Sequence, residues 1–249
     1  MLRTRLCAAL AACLLAAPAV AECRAEQVEG QGYVICAVEA EADLRLFLNE
    51  AESGVPLGSF ASIDRQLARE GKRLGFAMNA GMYHSDRSPV GLYIEEGQEA
   101  APLVTREGPG NFGLLPNGVF CLRDGRAEVI ETLRYAQERP DCRHASQSGP
   151  MLVIDGALHP RFLKHSDSRY IRNGVGTSDD GRAWFVISDR PVNFHRFARV
   201  FRDHLGADQA LYFDGKVSRL YAPRLGRNDL GFPLGPMVGL VVDAETPLD

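Results

Sequence analysis

The stretch ALYFDGKVS, residues 210–218, places a carboxylate directly after a run of four apolar residues. Ala210–Phe213 has the length and composition of a buried strand, and Asp214-Gly215 is a dipeptide typical of a tight turn. Glycine at a strand end lets backbone amides approach a ligand closely, because it has no Cβ. We therefore expect Asp214 at a strand end, either as a turn residue or as the carboxylate of a functional site.

Three further strings of small and polar residues adjoin apolar runs in the same way. Each one alone is explained by a tight turn. Together with residues 214–218 they predict polar side chains that converge on one cleft at the ends of strands. The three strings are Asn79-Ala80-Gly81-Met82-Tyr83, Ser148-Gly149-Pro150 and Arg172-Asn173-Gly174-Val175-Gly176.

The remaining pattern is typical of a mixed α and β fold, with a single domain of mixed or antiparallel sheets and a few helices. Helices are predicted at Ser62–Glu70, with Ser62 as the cap, and from about Phe194 to Leu205 after the capping residue Asn193. Hairpin turns are predicted at Pro116-Asn117, Asp124-Gly125 and Asp155-Gly156. Strands are predicted at Tyr33–Val38, Leu44–Leu48, Leu74–Met78, Val90–Ile94, Phe112–Leu115, Gly118–Leu122, Arg126–Ile130, Met151–Ile154, Ala157–Leu158, Ala183–Ser188, Ala210–Phe213, Val217–Tyr221 and Met237–Val242.

The first 21 residues have the features of a secretory signal peptide. Arg3 and Arg5 precede the apolar run Leu6–Pro18, which is too short to span a bilayer, and Ala19-Val20-Ala21 is a small-x-small cleavage site. We therefore expect an exported protein, periplasmic or extracellular, whose residues 22–249 form one domain with no transmembrane segment.

Four cysteines lie beyond the predicted signal peptide. An even number in an exported chain predicts two disulfides, with three possible pairings. The pairs Cys23–Cys36 and Cys121–Cys142 are favoured because each closes a short local loop. A cysteine metal site is disfavoured, since the chain has no closely spaced Cys-x-x-Cys pair.

Charge and the absence of familiar motifs narrow the function further. The net charge is −4 and no basic block occurs, so a nucleic-acid partner is not expected. The sequence has no phosphate-binding loop, no His-Glu-x-x-His zinc helix and no Gly-x-Ser-x-Gly nucleophile elbow. We predict neither a metal nor a cofactor, and the oligomeric state is left open.

The polar residues at the predicted strand ends indicate carboxylate and anion-binding chemistry. Asp214 has the position of a general base or nucleophile, and the planar guanidinium of Arg172 matches a phosphate or carboxylate. Asp189 follows another predicted strand and is also explained as a turn residue. The other candidates are Asn79 and Ser148 as catalytic residues, and Gly81, His84, Arg87, Gly149, Gly174, Asp189, Asn193, Gly215 and Ser218 as substrate-binding residues.

In series, these motifs resemble those of the phosphodiester glycosidase domain family over roughly residues 74–222. The family commonly has Asp-Gly-Gly-Gly-Ser at its last motif, where this chain has Asp214-Gly215-Lys216-Val217-Ser218. The motifs that carry the resemblance are Asn79-Ala80-Gly81-Met82, Ser88-Pro89-Val90-Gly91-Leu92, Asn117-Gly118-Val119-Phe120, Gln147-Ser148-Gly149-Pro150-Met151, Arg172-Asn173-Gly174-Val175-Gly176, Asn193-Phe194 and Asp214-Gly215.

The resemblance implies hydrolysis of a sugar-1-phosphodiester to a sugar and a phosphomonoester. Most glycosidases need a second carboxyl group to protonate a poor leaving group, but a phosphomonoester departs well as an anion. One carboxylate with donors for the phosphate would therefore suffice. We expect Asp214 to act as base or nucleophile, Arg172 and the amides of Gly149 and Gly174 to hold phosphate, and Asn79, Ser148 and Ser218 to orient the substrate.

Two functions from other classes remain open. One is a saccharide-binding protein of the cell envelope without turnover, which the replacement of two family glycines by Lys216 and Val217 favours. The other is an assembly factor for exopolysaccharide.

Overall fold

The computed structural model describes residues 22–123 and 125–247, so the predicted signal peptide and the turn residue Asp124 lie outside the described residues. Within these described residues there are three α-helices: α1 (Phe60–Ala68), α2 (Thr132–Glu138) and α3 (Phe194–Arg199). The strands are β1 (Glu22–Val28), β2 (Gln31–Val38), β3 (Leu44–Phe47), β4 (Lys72–Asn79), β5 (Tyr93–Glu95), β6 (Gln98–Ala101), β7 (Gly118–Arg123), β8 (Arg126–Glu131), β9 (His144–Ser148), β10 (Met151–Ile154), β11 (Ala157–Leu158), β12 (Asn173–Thr177), β13 (Ala183–Ser188), β14 (Gln209–Asp214), β15 (Leu220–Ala222), β16 (Arg227–Asn228) and β17 (Met237–Asp243).

The strands form three sheets in which the paired strands run antiparallel. The first sheet has seven strands in the order β1-β2-β13-β12-β14-β10-β11. The second has the order β16-β15-β4-β17-β3, and the third the order β6-β5-β9-β7-β8. The predicted mixed α and β class with antiparallel sheets is therefore confirmed.

Strand β14 is buried on both faces, which explains its unbroken apolar run. Leu211 and Phe213 point into the core between the sheets, whereas Ala210 and Tyr212 belong to the cluster that packs against α3. Because successive side chains of a strand alternate between faces, a strand covered on both sides needs apolar residues at every position. The polar residue Asp214 is the last residue of this strand.

The three sheets meet at a cluster of phenylalanines. Phe185 of the first sheet lies 5.1 Å from Phe76 of the second and 5.7 Å from Phe120 of the third, measured between ring centroids. All three rings are fully buried. Burying a phenylalanine is worth about 1.5–3 kcal/mol, so this cluster contributes strongly to joining the sheets.

Both predicted helices are present, with changes at their ends. Helix α1 begins at Phe60 because Ser59, rather than Ser62, is the cap and accepts a hydrogen bond from the amide of Ser62. Helix α3 begins as predicted, with the Asn193 side chain accepting from the amide of Arg196. After Arg199 the chain continues as a π-helical turn, Val200–His204.

Several strand predictions were wrong. Phe112–Leu115 forms turns rather than a strand, so the predicted hairpin at Pro116-Asn117 is absent. The segment predicted as a glycine-rich loop after Arg172 is instead β12, a buried strand between β13 and β14. A Cβ on Gly174 would collide with the carbonyl of Leu211, so this glycine is needed for strand packing. Strand β9 was missed because its sequence, His-Ala-Ser-Gln-Ser, is mostly polar.

Both favoured disulfides are confirmed. Cys23 and Cys36 are directly opposite each other on β1 and β2, and Cys121 on β7 is bonded to Cys142, just before β9. Among the described residues, no helix combines the length and apolar character needed to cross a membrane.

Candidate active site at the end of strand β14

Two buried asparagines join the first and second sheets next to Asp214. Asn79 is the last residue of β4 and Asn173 the first of β12. The Asn173 amide nitrogen Nδ2 donates to the Asn79 backbone carbonyl at 2.8 Å and to its side-chain oxygen at 3.1 Å. That side-chain oxygen also accepts from the amide of Arg219 at 2.9 Å. Asn79 therefore connects backbone segments, in addition to any part it plays toward a substrate.

Asn173 also sets the position of the loop 214–218. Its oxygen Oδ1 lies 3.2 Å from the backbone nitrogen of Asp214 and 3.2 Å from the hydroxyl of Ser218. The Ser218 hydroxyl is also 2.6 Å from the Asp214 carbonyl and 2.9 Å from that of Ile171. This buried asparagine was not among the residues selected from the sequence, although it lies in the quoted string Arg172-Asn173-Gly174.

The Asp214 carboxylate is oriented by its own turn. Its oxygen Oδ1 accepts hydrogen bonds from the amides of Gly215 and Lys216, the latter at 2.8 Å. Burial raises the pKa of Asp214 above its ordinary value, although these backbone donors and the charge of Lys216 act in the opposite direction. A carboxylate with a raised pKa is a stronger base than an exposed one.

Tyr83 lies close enough to Asp214 for the charge of the carboxylate to act on its phenol. Burial raises the pKa of the Tyr83 phenol, and the negative charge of Asp214 raises it further. The phenol donates to the carbonyl of Pro233 at 3.2 Å, and the guanidinium of Arg87 lies 5.4 Å from the ring centroid. Tyr83 ends the string Asn79-Ala80-Gly81-Met82-Tyr83, but the sequence did not predict it as a site residue.

Arg172 is fully buried rather than exposed in a loop. Its Nε donates to the carbonyl of Val192 at 2.8 Å and its Nη2 to the carbonyl of Ser168 at 3.0 Å. The guanidinium carbon lies 3.6 Å from the centroid of the Phe194 ring and 5.2 Å from that of Tyr212. Burial lowers the pKa of Arg172, so the aromatic rings and the two carbonyls stabilise a charge that the interior disfavours.

Two polar atoms in this cage lack hydrogen-bond partners among the described residues. They are Nη1 of Arg172 and the phenol oxygen of Tyr212, and the two groups lie near enough that each shifts the pKa of the other. Tyr212 also explains the glycine that follows Asp214, because a Cβ on Gly215 would overlap its phenol oxygen. Buried polar atoms usually have a partner, and the exceptions often mark the place of a water or a ligand.

Ser148, Gly149 and Gly81 are packed behind the strand end. The Ser148 hydroxyl donates to the carbonyl of Phe213 at 2.9 Å and is fully buried. A Cβ on Gly149 would lie 2.6 Å from the Cβ of Asn117, and one on Gly81 would lie 2.7 Å from the hydroxyl of Ser146. The contacts observed for these three residues are with neighbouring strands and turns.

Gly174, Asn193 and Asp189 have structural contacts that do not lead to the Asp214 loop. Gly174 is inside β12, so its predicted role as a phosphate donor in a loop has no support from its position. The Asn193 side chain caps α3 and its Nδ2 donates to two carbonyls, of which that of Lys164 is at 3.1 Å. Asp189 is exposed and forms an ion pair of 3.1 Å with Arg227.

His84 and Arg87 lie on one turn near Tyr83. The amide of Arg87 donates to the carbonyl of His84 at 2.9 Å, and Arg87 has a positive φ of 78°. His84 is exposed and Arg87 is half-buried. The structure thus brings Arg87 toward the Asp214 site through Tyr83. Within residues 22–123 and 125–247, no three His, Cys, Asp or Glu side chains converge as metal ligands.

Comparison with known proteins gives relatives at different distances. The Uncharacterized protein YigE of Escherichia coli is 38% identical over 145 residues, which cover 58% of this chain and 57% of that protein. The match thus spans little more than half of the relative's length.

Two solved structures share the fold at low sequence identity. The catalytic domain of zebrafish N-acetylglucosamine-1-phosphodiester alpha-N-acetylglucosaminidase, auto-inhibited by its pro-peptide, has a TM-score of 0.63 and 12% identity, with 91% of this chain and 84% of that chain covered. A hypothetical protein from Synechocystis has a TM-score of 0.54 and 14% identity, with 89% and 62% covered.

The family assignment depends on the sequence itself. Residues 72–231, more than half of the chain, match the family described as phosphodiester glycosidase. This range contains Asn79, Asn173 and the whole loop 214–218. The chain therefore belongs to the phosphodiester glycosidase family.

Proposed function

We propose that this protein hydrolyses the glycosidic bond of a sugar-1-phosphodiester and releases a sugar and a phosphomonoester. The observation that carries the proposal is the half-buried Asp214 carboxylate, held by two amides at the end of β14 with a raised pKa. Membership of the phosphodiester glycosidase family and the fold shared with the zebrafish enzyme support the reaction class.

Asp214 is proposed to act as the base or nucleophile at the anomeric carbon. Because two amides occupy Oδ1, the other oxygen, Oδ2, is the one assigned to attack or to activate water. The phosphomonoester leaves as an anion, so no second carboxyl group is required to protonate it. Tyr83, whose phenol lies within reach of the charge of Asp214, is assigned to bind the sugar.

Arg172 and Tyr212 are proposed to contact the departing phosphate. Each has a buried polar atom without a partner among the described residues, and together they supply a cation and a hydroxyl next to Gly215. A phosphate oxygen at this place would satisfy both atoms, and charge-assisted hydrogen bonds are about twice as strong as neutral ones. Asn79, Asn173 and Ser218 hold the surrounding backbone.

We also propose that the protein acts outside the cytoplasm. Two disulfides are present, and disulfides form and persist mainly in oxidising compartments. This agrees with the signal peptide expected from residues 1–21. The compartment, periplasm or medium, is tested by fractionating cells and locating the disulfide-bonded form on non-reducing gels.

The test of the reaction is release of free sugar from UDP-N-acetylglucosamine and from a panel of simple sugar-1-phosphodiesters. The proposal expects turnover by the wild type, none by Asp214→Asn, and unchanged turnover by Asp189→Asn, in which an exposed aspartate changes in the same way. Turnover that survives in Asp214→Asn would contradict the assigned mechanism.

A saccharide-binding protein without turnover is the second candidate. Its support is Lys216, which occupies a position where the family commonly has glycine and whose charge acts on Asp214. Saccharide binding by the wild type, combined with no sugar release from any substrate, would favour it. If Lys216→Gly then gained turnover, the lysine would be identified as the reason that the wild type lacks catalytic activity. An exopolysaccharide assembly role would instead give a cellular phenotype that survives Asp214→Asn.

A further inference from the structure

A second, positively charged depression lies next to the Arg172 cage. It has a volume of about 230 Å³ and is bounded by the segment 164–169 on one side and by α3 on the other. We call it the basic groove. Its basic residues are Lys164, His165, Arg169, His195, Arg196 and Arg199.

The positive charges of the basic groove are only partly compensated. Arg199 forms ion pairs with Glu29 and, at 2.7 Å, with Asp203. Lys164 and Arg169 have no ion-pair partner among the described residues, and both are exposed. This concentration of cations occurs in a chain with a net charge of −4, so it is a local feature rather than a consequence of composition.

The positive charges of the groove act on His195. The pKa of His195 is lowered by burial and, in addition, by the positive charges of Arg199 and Lys164. Like charges that repel one another in the free protein are stabilised when an anion binds between them. The groove therefore has the electrostatics of an anion site.

A neighbouring depression of about 310 Å³ adds a buried hydroxyl group. It shares Glu29, Arg196 and Arg199 with the basic groove and is also lined by Tyr33. The Tyr33 side chain is fully buried and its phenol oxygen has no hydrogen-bond partner among the described residues. Burial raises the pKa of this phenol to about 12, so it keeps its proton and can donate a hydrogen bond.

The groove and the candidate active site share a wall. Tyr170 and Val192 exchange two backbone hydrogen bonds, and the Arg172 side chain donates to the carbonyls of Val192 and Ser168. On the other side of this wall, the Cβ of Tyr170 lies 3.3 Å from the Cβ position of Gly215. The segment 168–172 thus separates the two sites, and Arg169, with Lys164, lies on the groove side of it.

We propose that the basic groove binds a second anionic group of the saccharide substrate, so that the substrate is an acidic saccharide rather than a neutral one. This inference depends on the proposed function for the direction in which the saccharide extends. A volume of about 230 Å³ is below the roughly 300–1,000 Å³ of pockets that enclose whole ligands. It suits one sugar residue with its carboxylate or phosphate group.

The experiment measures equilibrium binding of three probes to the purified full chain by calorimetry. Trigalacturonate is an acidic saccharide, maltotriose is a neutral saccharide of the same length, and inorganic pyrophosphate is an anion without sugar. The variants are Lys164→Ala/Arg169→Ala and the control Arg65→Ala/Arg69→Ala, which removes two exposed cations at α1 that do not line the groove.

We expect trigalacturonate to bind the wild type, and to bind Lys164→Ala/Arg169→Ala at least tenfold more weakly. Maltotriose should bind far more weakly than trigalacturonate, and the control variant should bind trigalacturonate as the wild type does. Sugar release and groove binding are measured separately, so failure of the proposed hydrolysis and failure of this inference are distinguishable.

Three results would overturn the inference. They are no binding of trigalacturonate to the wild type, an equal loss of affinity in the control variant, and equal affinity for maltotriose and trigalacturonate. If pyrophosphate bound as tightly as trigalacturonate and lost affinity equally in the groove variant, the site would recognise a simple anion and the saccharide assignment would be wrong.

Discussion

The Asp214 loop and the basic groove both collect polar groups, but different forces hold those groups in place. Around Asp214, the side chains of Asn79 and Asn173 are buried and bonded to three backbone atoms, the carbonyl of Asn79 and the amides of Asp214 and Arg219. In the basic groove, Lys164 and Arg169 project into solvent without ion-pair partners among the described residues. The first arrangement can orient a reacting group, whereas the second can attract and loosely hold a charged one.

This difference has an energetic consequence. Removing a partner from a buried polar network leaves another polar atom unsatisfied, which costs about 1–3 kcal/mol for each atom. Removing an exposed charge usually changes stability by less than about 0.5 kcal/mol. Substitutions around Asp214 should therefore change activity and stability much more than substitutions in the basic groove.

The largest effect is expected for Asp214→Asn. Asparagine keeps an oxygen that can accept from the amides of Gly215 and Lys216 but removes the charge. Turnover of a sugar-1-phosphodiester should fall by at least about 10²-fold. Because burial raises the folded-state pKa of this carboxyl, its ionisation is unfavourable to the fold at neutral pH, so the variant should be at least as stable as the wild type. Sugar release and thermal unfolding measure the two results. A large loss of stability would contradict the statement that ionisation of Asp214 is unfavourable to the fold.

The loss of turnover at acidic pH should be the next largest effect. A base must be deprotonated, so activity should be lost as the pH falls through the raised pKa of Asp214, by about tenfold for each pH unit below it. The acidic limb should lie above the range of an exposed aspartate. A limb at the ordinary aspartate value, measured with kcat/KM on the free enzyme, would show that burial does not tune this group.

Arg172→Lys should affect both activity and stability. Lysine keeps a charge but cannot reproduce the fork that donates to Val192 and Ser168, and it stacks less well on Phe194. We expect turnover to fall about tenfold and the free energy of unfolding by about 1–3 kcal/mol. Product inhibition by phosphomonoesters should weaken in parallel. An unchanged inhibition constant in a destabilised variant would make Arg172 a structural residue only.

Asn173→Ala tests the buried junction between the sheets. It removes the acceptor of the Asp214 amide and of the Asn79 side-chain nitrogen Nδ2, so stability should fall by about 1–3 kcal/mol. The matched control is Asn228→Ala, at an exposed asparagine of β16. Chemical denaturation of both variants gives the comparison, and equal losses would argue against the special role of the junction.

The smallest effect is expected for Arg169→Ala. Its side chain is exposed and unpaired among the described residues, so the free energy of unfolding should stay within about 0.5 kcal/mol of the wild type. Denaturation at low and at physiological salt measures this. A clear loss of stability would show that the segment 164–169 depends on this charge and would reduce the contrast between the two regions.

Much of the fold follows from local pattern. Buried strands such as β14 and β13 have continuous apolar runs, and the cap of α3 is a favourable residue followed by apolar residues at helical spacing. Strand β12 does not show this pattern, because its glycines are required by neighbours that are distant in sequence: Leu211 against Gly174 and Phe201 against Gly176. Strand β9 is polar because its side chains bond to other segments, as Ser148 does to Phe213.

The candidate site, like the fold, was only partly predictable from the sequence. The carboxylate at a strand end was predictable because an apolar run predicts a buried strand and a following Asp-Gly predicts the turn that ends it. The burial of Arg172 was not predictable, since it depends on Phe194, Tyr212 and the carbonyl of Val192, which the chain brings together only on folding. Tyr83 and Asn173 were missed as site residues for the same reason, because each acts through contacts with residues far away in the sequence.

The mixed fold class, the two cysteine pairs, the family and the location of Asp214 after a buried strand could all be predicted from the amino-acid sequence. These properties depend on short-range periodicity, on loop length and on motifs in series. Which polar residues hold the backbone in place, and which keep atoms without hydrogen-bond partners, depends on the folded structure. It also decided that exposed cations of the segment 164–169 and of α3 line one groove. Burial and charge compensation are sums over neighbours in space, and neighbours in space are not encoded by spacing along the chain.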